Sequence, residues 1–153
     1  MTEATRKAMF STGKDDWETP HWLFDQLDKE FHFTLDPCCT HETAKCEKHY
    51  TPEEDGLAQS WEGETVFVNP PYSKKTKDKP GQIDWVKKCY EEGQKPGTTV
   101  VALLPSRTDT KQFHKYIWWK CEVRFLEGRI SFLDNGKAAG KPTFGSMVCI
   151  WRG

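Results

Sequence analysis

Asn69, Pro70, Pro71 and Tyr72 come directly after an apolar run, Val66-Phe67-Val68, and precede a loop that carries Lys74, Lys75, Lys77 and Lys79. Proline has no N–H for a sheet ladder and holds its own φ fixed, so two in succession end the strand and stiffen the chain beyond it. One amide, one fixed carbonyl and one ring then stand on rigid backbone. That set suits a flat ring bearing an exocyclic amine, such as adenine. The amine is a poor nucleophile because its lone pair is delocalised into the ring. The Asn69 side-chain oxygen and the Pro70 carbonyl could together accept its two N–H groups. Doing so draws the nitrogen toward tetrahedral geometry and stabilises the positive charge that develops as it attacks an electrophile. Pro71 helps to fix the carbonyl's direction, and Tyr72 offers a face for stacking.

A base inside a duplex cannot reach such a pocket and has to be flipped out. Ser73, Lys74 and Lys75, with Lys77 and Lys79 beyond, are placed to hold backbone phosphates meanwhile; the bland reading is a solvated lysine loop. Arg107 stands just past another apolar run and is a second phosphate or base-neighbour contact, against a plain surface ion pair. His114 is read as a helix-surface residue, because proton loss after transfer can go to solvent.

The elements that position these residues are read from the apolar pattern. Thr19-Pro20 reads as a helix start with a capping threonine, and Trp22, Leu23, Phe24 and Leu27 recur at helical spacing over 21–30. Residues 31–35 alternate as a strand that ends at Asp36-Pro37. Residues 40–50 carry a weak helical pattern, and Glu53 to Gly56 a turn. Strands are expected at 65–68, 98–104, 121–125 and 146–151, with a short strand and a glycine-bearing loop within 128–140. Helices are expected at 83–92 and from Thr108 or Asp109 to about Trp118. Strands alternating with helices, then closely spaced strands, predict an α/β sheet, mainly parallel with an antiparallel last strand. Ligands of such sheets sit at the carboxyl ends of the strands. Three predicted ends, at Asp36, Asn69 and Pro105, would share that edge.

At 153 residues the chain has the size of one domain. Its net charge of −1 excludes a polycation, so nucleic-acid contact must be local. It has no apolar run long enough for a membrane span and no signal-peptide pattern, which predicts a cytoplasmic protein. The six cysteines then read as reduced thiols. Cys38, Cys39, His41, Cys46 and His49 crowd together, but a structural zinc wants two separated ligand pairs. The expectation is therefore no metal. Most of the seven tryptophans belong to the core, with Trp61 or Trp85 at a pocket border. Gly13-Lys14 lacks the spacing of a phosphate loop.

Asn69-Pro70-Pro71-Tyr72 matches the catalytic motif of amino-methyltransferases that use S-adenosylmethionine. The ordered set around it is Trp17-Glu18-Thr19-Pro20, "FTLDPC", "AKC", Asp55-Gly56-Leu57 with Trp61, "VNPPYS", "LLPSRTDTKQFH" and "SMVCIW". Over residues 15 to 152 it resembles the small phage-type DNA N6-adenine methyltransferases. The resemblance implies a Rossmann-like class I methyltransferase fold, S-adenosylmethionine as cofactor and DNA as partner. It places Asp36, Pro37 and Cys38 at the cofactor's methionine part, Asp55, Gly56 and Leu57 near its adenine, and Trp17 and Thr19 at its flank. Asp36-Pro37-Cys38-Cys39 departs from the family's usual glycine-rich loop, and Glu42 is only a weak stand-in for the ribose-binding acid.

The expected organisation is a flexible segment 1–14 and a single catalytic domain 15–153 without a separate target-recognition domain. Loops 74–81, 105–112 and 128–143, or a second subunit in a homodimer, would then read a short site of roughly two to four base pairs. The sequence leaves two rivals open. The same chemistry could act on cytosine N4, an RNA base amine or a glutamine amide. Alternatively, the shortened cofactor loop could mark a non-catalytic nucleic-acid or zinc-binding module.

Overall fold

A computed structural model describes residues 17–134 and 136–153. The segment expected to be flexible, 1–14, and Gly13-Lys14 lie outside the described residues. The fold is mixed α/β. Helix α1 spans His21–Phe31, strand β1 Thr65–Val68, helix α2 Gln82–Glu92 and strand β2 Thr99–Pro105. After a short π-helical segment, Phe113–Ile117, come β3 (Glu122–Phe125), β4 (Phe132–Asp134), β5 (Lys137–Gly140) and β6 (Ser146–Arg152).

The main sheet has the order β1-β2-β6-β3, while β4 and β5 form a separate hairpin. β1 and β2 pair parallel, and β6 pairs antiparallel with both β2 and β3. β1, β2 and β3 therefore run one way and β6 alone opposes them. The last strand inserts between two others instead of adding at an edge. It thus supplies two antiparallel pairings, and the sheet is less parallel by pairing than expected. β2 and β6 are apolar on both faces and nearly free of solvent, as central strands covered by helices must be. Leu23, Phe24 and Leu27 of α1 pack with Phe67, Val101, Leu103, Val148 and Ile150 on one face. Trp85, Val86 and Cys89 of α2 pack with Val66, Val100, Ala102, Leu104 and Cys149 on the other.

Several expectations are corrected. Thr19 does not cap α1: Pro20 is the N-cap, and its carbonyl accepts from the Leu23 and Phe24 N–H groups, each at 3.2 Å. The stretch 31–35 is not a full strand. Phe31 ends α1, His32 takes the left-handed conformation, and only Leu35 and Asp36 bridge, to Val66 and His49. Residues 40–50 form turns: Asp36 accepts the Lys45 N–H at its carboxylate and the Tyr50 N–H at its carbonyl, and the Thr40 and Thr43 N–H groups go to each other's hydroxyls. The helix after β2 is capped by Thr110, whose Oγ1 accepts from Phe113 N at 3.3 Å, rather than by Thr108 or Asp109. The region 128–140 holds two strands where one was expected, because Leu133 and Asp134 pair with Ala138 and Lys137 across the Gly136 turn.

Candidate active site

A cleft of about 620 Å³ opens where Leu35 and β1 end. Its wall includes Trp17, Thr19, Asp36, Pro37, Cys38, Asp55, Gly56, Leu57, Asn69 and Pro71, so every residue assigned to the cofactor converges here with two of the four motif residues. Two close approaches shape it. Gly56 opens a 3₁₀ turn, Gly56–Ala58, and packs against the Pro37 carbonyl. Asp55 before it is held in the left-handed conformation at φ +54°, a strained geometry for a residue with a side chain. Behind the turn, Trp61 is fully buried and donates from Nε1 to the Gly56 carbonyl at 3.0 Å. Trp61 thus supports the cleft from within the core, whereas Trp85 lines it.

Asp36 is 3% exposed. Its carboxylate accepts from the N–H groups of Cys38 (3.3 Å) and Lys45 (3.0 Å). Burial pushes its pKa up to about 6, and those two hydrogen bonds hold it from rising further. The Cys39 and Cys46 thiols are also raised by burial, Cys46 to about 12, so both stay protonated and unreactive near neutral pH. His41 and His49 hydrogen-bond each other, Nδ1 to Nε2, at 2.9 Å. Among the described residues no cluster of three metal-ligating side chains is assembled.

The Asn69 amide is anchored at its nitrogen end. Nδ2 donates to the main-chain carbonyl of Trp17 and to Thr19 Oγ1 at 3.0 Å. Its Oδ1 is buried and, among the described residues, has no hydrogen-bond partner. A buried acceptor left unsatisfied costs about 1–3 kcal/mol, and an amine donor would remove that cost. The prolines after it are braced by α2: Gln82 Nε2 donates to the Pro71 carbonyl at 3.4 Å, and Gln82 N to the Ser73 carbonyl at 2.9 Å. Pro70 is buried and lies outside the cleft lining.

Tyr72, expected to offer a face for stacking, is half-buried. Its ring packs edge-on against Phe132 and Phe144, with centroids 6.1 and 5.3 Å away. The phenol oxygen is buried without a partner among the described residues, and burial raises its pKa, so it stays protonated. Arg107 places its guanidinium 5.3 Å from the Phe144 ring centre, which adds a cation–π contact to this aromatic group. Ser73, Lys74, Lys75 and Arg107 do not line the cleft. Lys75 pairs with Asp84 at 3.1 Å with its side chain 63% exposed, while Lys74 is exposed at the surface. Glu42 is exposed and stands apart from the cleft.

Sequence reasoning missed Glu18 and Lys45. Both line the cleft and are almost fully covered, with Lys45 Nζ 3.7 Å from Glu18 Oε2. The one signal in the sequence was that each falls inside a short motif, "WETP" and "AKC", as its only charged member.

The cleft thus joins a buried carboxylate, Asp36, to an amide oxygen, Asn69 Oδ1, that has no partner among the described residues. The family DNA N-6-adenine-methyltransferase (Dam) matches residues 6–153. The chain is 30% identical over 138 residues to a DNA N-6-adenine-methyltransferase of Haemophilus phage HP1 (strain HP1c1), covering 88% of this chain and 74% of that protein. It is 27% identical over 158 residues to one from Escherichia phage T1, covering 91% of this chain and 63% of that protein. The chain belongs to the DNA N-6-adenine-methyltransferase (Dam) family. Its reaction is methylation of the adenine N6 in DNA, which requires a methyl donor. No helix among the described residues is long and apolar enough to cross a membrane.

Proposed function

We propose that the cleft binds S-adenosylmethionine and that Asn69 receives the amino group of a flipped-out adenine beside it. The strand directions support reading the fold as a Rossmann-like class I methyltransferase, since β1, β2 and β3 run together and a reversed β6 lies between the last two. The lining fits the cofactor's chemistry. Asp36 and Glu18 offer carboxylates to its ammonium group, and Lys45 offers a cation to its carboxylate. Leu57 and Trp85 give apolar surface to its ring, and Asp55 can accept from the ring's amine. The volume lies within the range of about 300–1,000 Å³ usual for small-ligand clefts. When bound, S-adenosylmethionine supplies a methyl group on a sulfonium centre.

The chain's own residues prepare the acceptor. Asn69 Oδ1 and the Pro70 carbonyl accept the two N6 N–H groups, turn the lone pair toward the cleft and stabilise the cationic nitrogen as it forms. The Asn69 acceptor is held before the substrate arrives by the hydrogen bonds at its nitrogen end, so the reaction needs no reorganisation of it. The proton leaves to solvent after transfer. Tyr72 stacks on the base once the edge-on phenyl rings move aside, and Ser73, Lys74, Lys75 and Arg107 steady the flanking phosphates.

The observation that carries this reading is the unpartnered Oδ1 of an amide whose nitrogen is already tied down. Its test is Asn69→Ala assayed with labelled cofactor and DNA. Methyl transfer to adenine should fall by on the order of 10²–10³, with cofactor binding changed little. Undiminished turnover would remove Asn69 from the chemistry.

A further inference from the structure

We infer that Thr19, with the main-chain carbonyl of Trp17, is a positioning residue that locks the Asn69 amide in the one orientation able to accept from the substrate amine. This rests on the reading of Asn69 just given. The two ends of a carboxamide are nearly equal in shape, but one accepts and the other donates. A half-turn about the last side-chain bond would present an NH₂ to the incoming NH₂ and abolish the site. Nothing in the Asn-Pro-Pro-Tyr run chooses between the two orientations.

The choice is made from the N-terminal segment. The Trp17 carbonyl can only accept, so it must face Nδ2; the flipped amide would set lone pairs against lone pairs. Thr19 Oγ1 takes the second Nδ2 proton at 3.0 Å and is 2% exposed, so no solvent replaces it. One anchor selects the orientation and the second restrains rotation. This also explains why the Thr19 side chain does not cap α1.

The segment is itself fixed. Glu18 exchanges both main-chain hydrogen bonds with Leu133 of β4, at 3.0 and 2.9 Å. Gly136 N donates to Glu18 Oε1 at 3.2 Å, at the turn of the β4–β5 hairpin. A chain of contacts therefore runs from the hairpin through Glu18 to the Asn69 amide.

The test measures single-turnover methyl transfer at saturating cofactor and DNA, alongside cofactor affinity by calorimetry and thermal unfolding. Thr19→Val keeps the shape and removes the oxygen. At saturating cofactor the rate should fall by on the order of 10- to 100-fold, and Thr19→Ser should restore most of it. Asn69→Asp keeps an acceptor but turns its second oxygen on the Trp17 carbonyl, so it too should be slow. The clamp is overturned if Thr19→Val or Asn69→Asp transfers at the wild-type rate while Asn69→Ala is dead, or if Thr19→Ser is as slow as Thr19→Val. Wild-type transfer by Asn69→Ala would instead overturn the role of Asn69 itself, and the clamp with it.

Discussion

Gly56 lies against Pro37 with no room for a side chain: a Cβ on Gly56 would stand 2.1 Å from the Pro37 carbonyl oxygen. Two segments nineteen positions apart thereby form one wall of the cleft. The contact is backbone against backbone, so it cannot be relieved by moving a side chain. Gly56→Ala should destabilise the protein by about 1–3 kcal/mol and weaken cofactor binding more than tenfold. Thermal unfolding and calorimetry read the two effects; an alanine variant with unchanged affinity would mean that this wall does not touch the ligand.

Asp36 should give cofactor binding a dependence on pH. Its pKa in the free protein is raised to about 6, chiefly by burial. A group bound to an ammonium must be ionised, so affinity should rise with pH and level off above about 6. It should fall by up to about tenfold per unit below that. Binding near pH 6 should also release protons, visible as a heat that changes with buffer. The sign for stability is opposite. The folded state holds this proton more tightly than the unfolded chain, so Asp36 contributes stability at low pH that is lost between about 4 and 6. Asp36→Asn checks the assignment: a slope that survives this substitution would not belong to Asp36.

Tyr72 combines a stacking surface with a buried hydroxyl that has no partner among the described residues. Removing an unsatisfied group relieves a desolvation cost, so Tyr72→Phe should match or exceed wild-type stability by up to about 1 kcal/mol. It should also keep turnover within severalfold, because both rings can stack. Tyr72→Ala should lose both, with turnover down by on the order of tenfold or more. If Tyr72→Phe were as inactive as Tyr72→Ala, the hydroxyl and not the ring face would be the working part.

Much of the site was legible because it sits at strand ends with local signatures. The run of Val66-Phe67-Val68 into two prolines located β1 and its loop, and Asp36-Pro37 marked the neighbouring end even though the strand before it shrank to a bridge. Asp55-Gly56 was readable as a turn. Glu18 and Lys45 were not legible as cleft residues, since a lone charge in a short motif looks the same on a surface. The contacts of Tyr72 with Phe132 and Phe144 were not legible, because those rings lie sixty residues and more downstream.

The amino-acid order by itself located β1, β2, β3, β6, α1 and α2 to within a residue at each end, and it showed that an amide, a rigid carbonyl and a ring adjoin one another at a strand's end. Those features depend on side-chain period, on proline's missing N–H and on neighbours within a few positions. Only the tertiary structure decided that β6 enters between β2 and β3, that Trp61 stands behind Gly56, and that the Asn69 amide nitrogen meets Trp17 and Thr19. Each of those depends on hydrogen bonds and packing between distant segments, 50 residues apart for Thr19 and Asn69, which no local pattern encodes.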